Sequence, residues 1–127
     1  MITEDYVSFE TAKLLKEKGF ECATLHYYYD KDGDLLFSAW GVDAGKNEFV
    51  APTLQMAMKW LREVHHLHIE VYRTACGYLY IISKVPTGSD LYSDCDAYDG
   101  DDENSGQWTT YEKACEAAIK YCLENLI

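Results

Sequence analysis

A chain of 127 residues with 48% hydrophobic and 14% aromatic side chains can bury roughly two thirds of the surface its unfolded form exposes, so disorder is excluded and one globular domain over 1–127 is expected. Its 22 acidic and 11 basic residues give a net charge of −11, which argues against direct binding to nucleic acid, because phosphate affinity depends on Lys and Arg displacing counterions. No apolar run approaches the ~20 residues that span a bilayer, MITEDYVSFE has no secretory pattern, and five cysteines without a CxxC pair read as free thiols of a cytoplasmic protein.

In chain order, SFETAKLLKEKG at 8–19 predicts a helix capped by Ser8 and ended by Gly19, with Phe20 folding back on the last turn. Thr24 to Tyr29 and Leu35 to Trp40 alternate as strands around an Asp32-Gly33 turn. Gly41 to Asn47 is a loop, and Glu48 to Val50 adds a short extended piece. Thr53 then caps a helix whose apolar stripe is Leu54, Ala57, Leu61 and Val64, widened by Met58 and Trp60. The period changes from 3.6 to two at Leu67, Ile69 and Val71, which predicts a strand with one buried face. Tyr78 to Val85 returns as its partner. About 86–108 the chain is polar, acidic and free of basic residues, and is expected to be a mobile loop without secondary structure. A last helix over Thr110 to Leu126 should bury Tyr111, Ala114, Cys115, Ala118, Cys122 and Leu126. The expected fold is α+β, in the order α-β-β-α-β-β-α, with one antiparallel four-stranded sheet and the helices packed on one face.

That arrangement leaves a sheet face uncovered. If Leu67, Ile69 and Val71 face the helices, His68 and Tyr72 point away. Alternation in the other strands adds Tyr28, Trp40, Tyr78 and Tyr80 to the same side. Tyr and Trp, apolar in body and polar at the tip, suit a contact surface, so these six residues form the candidate surface for a protein partner or a homodimer. No catalytic residue, metal site or cofactor is assigned. His65, His66 and His68 diverge at a helix end, and a zinc site needs three or four converging ligands. The pairs Asp94/Asp96 and Asp99/Asp101 depart from the calcium-loop pattern. Cys115 and Cys122, seven apart among alanines, read as small core residues.

The segments YVSFETAKLLKEKGF at 6–20, APTLQMAMKWLREVH at 51–65 and TYEKACEAAIKYCLENLI at 110–127 resemble a group of small uncharacterised proteins of Bacteroides-type gut bacteria and their phages or mobile elements. The resemblance implies a cytoplasmic bacterial or phage setting and nothing about mechanism. Because no catalytic motif is found in the sequence, the expected function is protein–protein contact without catalysis. Two alternatives stand beside it. One is an acidic mimic of nucleic acid that inhibits a basic enzyme. The other is an enzyme whose site is assembled from His26, His68 and Glu70.

Overall fold

The computed structural model describes residues 2–22, 25–42 and 47–127. Helix α1 spans Phe9–Glu17, and the Ser8 hydroxyl accepts from Thr11 N–H at its start. Its end is a Schellman turn. Gly19 takes φ +87°, Gly19 N–H donates to the Lys16 carbonyl, and Phe20 N–H reaches the Leu15 carbonyl at 2.9 Å. Phe20 is thereby turned inward, edge-on to Trp60.

Strands β1 (Tyr27–Tyr29), β2 (Leu35–Phe37) and β3 (Phe49–Val50) follow, then α2 (Leu54–Val64), β4 (Leu67–Arg73), β5 (Tyr78–Lys84), β6 (Asp90–Ser93) and α3 (Tyr111–Tyr121). The last turn of the chain, Cys122–Leu126, widens to a π-helix. Thr24, expected in the first strand, and 43–46, expected in a loop, lie outside the described residues.

The fold is α+β, as expected, but the single four-stranded sheet is replaced by two three-stranded antiparallel sheets, ordered β2-β1-β3 and β4-β5-β6. The strand orders show which edges are taken: β3 and β6 cover β1 and β5, and the edges left over, β2 and β4, do not pair with each other. The two-residue β3 occupies the edge of β1 that a single sheet would have offered to the second hairpin, through the Tyr28–Val50 and Tyr29–Phe49 pairs. Likewise β6, from the stretch expected to lack secondary structure, occupies the outer edge of β5.

One buried cluster draws on all three helices and on β4 and β5, and Tyr29, Phe49 and Val50 of the first sheet pack against it. In α2 the Thr53 hydroxyl accepts from Met56 N–H, and Leu54, Ala57, Met58 and Leu61 are buried. Val64, expected in that stripe, is exposed, and so is Tyr111 at the start of α3. The helix stops at His66, a non-glycine residue at φ +58°, whose carbonyl accepts from Val85 N–H at 3.0 Å. From there Leu67 and Ile69 are buried while His68 and Glu70 are exposed, as the period-two pattern predicts. Residues 5–7 are pinned across 52–54 by Val7 N–H to Pro52 O and Leu54 N–H to Asp5 O. The Tyr29 hydroxyl donates to the Val7 carbonyl at 2.6 Å. No helix among the described residues is long and apolar enough to cross a membrane.

Candidate functional site

The six residues expected on one uncovered face are divided between the two sheets and between the two faces of the second. Tyr28 lies on β1 and Trp40 just beyond β2; His68, Tyr72, Tyr78 and Tyr80 lie on β4 and β5. In the β4–β5 register Val71 pairs with Tyr80 and Tyr72 with Leu79. Cross-strand partners share a face, so Tyr78 and Tyr80 point to the helices and only His68 and Tyr72 point away. Tyr80 is 4% exposed, and Tyr78 meets Tyr111 of α3 edge-on at 6.2 Å. The correction has a physical cause. β5 is apolar at both parities, Leu79 and Ile81 on one side and Tyr80 and Ile82 on the other, so alternation alone does not assign its faces.

The histidines are dispersed. His65 packs edge-on to Trp60, and His68 sits on the outer face of β4. His26 lies in the first hairpin, its Nδ1 2.9 Å from the Ser38 carbonyl oxygen. β1, which His26 precedes, pairs with neither β4 nor β5, so no strand pairing brings His26 to His68 and Glu70, which share the outer face of β4. Among the described residues, no group of three or more His, Cys, Asp and Glu side chains is placed to hold a metal ion. Burial pushes the Cys115 thiol up to about 11 and the Cys122 thiol up to about 12, which suits inert core residues.

Two features replace the expected face. The first is the β1–β2 hairpin. Tyr27 is 38% exposed, Leu35 42%, Leu36 41%, Phe37 60% and Trp40 97%, five large apolar side chains within one hairpin and its following turn. β2 is also an edge strand. Ser38 N–H donates to His26 O and Asp30 N–H donates to Asp34 O. By antiparallel alternation Tyr28 and Leu36 then exchange bonds between them, while the backbone groups of Leu35 and Phe37 point to the free edge.

No family model, curated protein or solved structure matches this chain.

The second feature is a clamp closed by the acidic stretch. Where β6 leaves β5, Asp94 turns in to 2% exposure. Its Oδ1 accepts from Tyr80 N–H at 2.9 Å and its Oδ2 from the Trp108 indole N–H at 3.1 Å. Trp108 then continues the pairing, exchanging backbone bonds of 2.9 and 3.0 Å with Tyr78. A carboxylate thus substitutes for a missing strand residue. Burial pushes the Asp94 carboxyl above its ordinary range, against the pull of these two donors. Residues 100–107 fold back on themselves, Gly100 N–H to Gly106 O and Asp102 N–H to Gln107 O. A side chain at Gly100 would collide with the Gln107 backbone. Asp101 accepts from Thr109 N–H, Thr109 hydroxyl and Lys113, each at 2.7 Å. The Lys113 ammonium first, then Thr109, holds its carboxyl well below the usual carboxylate range.

Between this stretch, α3 and the start of α1 lies a cavity of about 470 Å³. Its walls include Tyr80, Trp108 and Tyr121, and its rim carries Asp99, Glu116 and Glu124. Tyr121 is stacked on Tyr92 at 3.8 Å. Sequence reading missed Asp94, Trp108 and the free edge of β2. The signal for the clamp was Leu91-Tyr92 and Trp108, apolar anchors bracketing a polar stretch.

Proposed function

We propose that this protein acts by protein–protein contact and not by catalysis, and that the free edge of β2 pairs antiparallel with the β2 of a second copy. The observation that carries this reading is an edge strand whose apolar side chains and outward backbone groups lie at one place. Natural proteins usually blunt such edges with brevity, charge, proline or a bulge; Leu35-Leu36-Phe37 is short, at three residues, but carries no charge, proline or bulge.

With Leu36 on the twofold axis, Leu35 of each copy faces Phe37 of the other. Both carry outward N–H and C=O groups, so four hydrogen bonds form and the two Leu36 side chains meet across the non-bonded pair. Applied to ordinary side-chain areas, the exposures of Tyr27, Leu35, Leu36, Phe37 and Trp40 come to roughly 600 Å² per copy as an upper limit, below the ~800 Å² each partner gives to a standard interface and suited to a weak dimer. The net charge of −11 opposes association, but this register sends the Asp30–Asp34 turns to opposite ends. The two Asp34 positions stand roughly 13 Å apart along the strands, beyond a Debye length of about 8 Å at physiological salt.

Sedimentation tests the pairing. The wild-type chain should pass from monomer to dimer between about 1 μM and 1 mM, and Phe37→Lys should remain a folded monomer, its stability lowered only by the loss of the ring contacts with Tyr27 and His26. A wild type that stays monomeric over that range overturns the self-pairing, as does a Phe37→Lys dimer of equal strength.

A further inference from the structure

The cavity beside α3 shares no wall residue with the hairpin edge and bears on a different activity. Its floor holds Tyr80, 4% exposed. The Tyr80 hydroxyl makes no hydrogen bond to any of the described residues and is not one of their fully buried unpartnered polar atoms, so it reaches the open space of the cavity. Two more aromatic side chains, Trp108 and Tyr121, line the walls. The Trp108 indole N–H donates to the Asp94 carboxylate, which makes the ring more electron-rich and strengthens its attraction for a cation.

The charges at the rim are unbalanced. Lys113 is held by Asp101 and Lys120 by Glu10, each pair at 2.7 Å. Glu116 is engaged at the start of α1, where its Oε1 accepts from Ser8 N–H and the Thr11 hydroxyl. Asp99 and Glu124 make no ion pair among the described residues. Glu124 stands at the rim on the π-helical turn Cys122–Leu126. The depression is open to solvent, with a volume of about 470 Å³, room for an extended chain laid along its walls.

We propose that this cavity binds a primary alkylammonium ligand of the polyamine class. The ammonium donates to the Tyr80 hydroxyl oxygen and to Asp99, and the methylene chain lies along Trp108 and Tyr121. An anion is disfavoured by the unpaired carboxylates, and a bare metal ion would leave the aromatic walls without a role.

The test is an amide and indole NMR titration of the full chain with spermidine at fixed ionic strength. The Trp108 indole and Tyr80 amide signals should shift along a saturable curve complete below ~10 mM. Tyr80→Phe and Asp99→Asn, which alter one polar group each, should weaken binding about tenfold. Mg²⁺ supplies charge without a chain and butanol supplies a chain without charge, so neither should reproduce the shifts. A tighter response to Nα-acetyl-lysine amide than to spermidine would assign the same ammonium site to a lysine side chain. The proposal is overturned if the shifts do not saturate, if Mg²⁺ displaces spermidine at equal concentration, or if both variants bind like the wild type.

Discussion

Asp94 is a buried carboxylate whose partners among the described residues are two N–H donors, not a cation. Its folded pKa is raised, so between the unfolded value of about 4 and the higher folded value the native state holds the extra proton. Stability from this group therefore rises as pH falls through that window, the reverse of Asp101, whose contribution is lost on acidification. Asp94→Asn keeps one acceptor but turns an amide toward the other donor, at a cost of about 1–3 kcal/mol less whatever the lost charge relieves. The stability gap between wild type and Asp94→Asn should widen as pH falls from neutral toward the unfolded value of about 4, measured by urea unfolding; a constant gap contradicts the assignment. His66 holds a left-handed conformation with an exposed side chain, and its hydrogen bond to Val85 uses only the backbone. His66→Gly should stabilise by about 0.5–1 kcal/mol, the steric relief exceeding the added chain entropy. His66→Val should destabilise by about 1 kcal/mol or more.

At the scale of elements, α3 is tied to the start of α1 by Glu116, beside the exposed Lys120–Glu10 ion pair. Glu116 Oε1 accepts from Ser8 N–H at 3.0 Å and from the fully buried Thr11 hydroxyl at 2.6 Å, a carboxylate at the positive end of a helix dipole. Glu116→Ala leaves the Thr11 donor without this acceptor and should cost about 1–3 kcal/mol in urea unfolding, whereas Glu116→Gln retains the oxygen and should cost less than about 1 kcal/mol. Equal losses would mean that charge, not the acceptor, matters. The helices were the legible elements. Their caps Ser8, Thr53 and Thr110 each accept from the backbone N–H three residues on, and local chemistry at fixed offsets decides such features. Strand partners were not legible, because β3 has two residues and β6 begins with Asp90. Elements that short are set by the edge they cover and not by their own periodicity.

At the scale of the molecule, the same distinction separates what composition indicated from what it left open. An acidic α+β chain with three helices and paired antiparallel strands follows from pattern. The division into two sheets does not, since it depends on which long-range edge each hairpin finds. Parity on β4 sets the expected contact face, but its extension to β5, a strand apolar at both parities, fails, and Tyr78 and Tyr80 turn toward the helices. The unshielded apolar surface instead gathers on β2 with Trp40 beyond it. Self-pairing of that edge makes a specific claim about two backbone amides. Hydrogen exchange at Leu35 and Phe37, followed from dilute to concentrated protein, tests it most directly. Protection of those two amides should rise with concentration while Leu36, already bonded within the hairpin, changes little. Exchange at Leu35 and Phe37 that stays fast and independent of concentration would contradict the account.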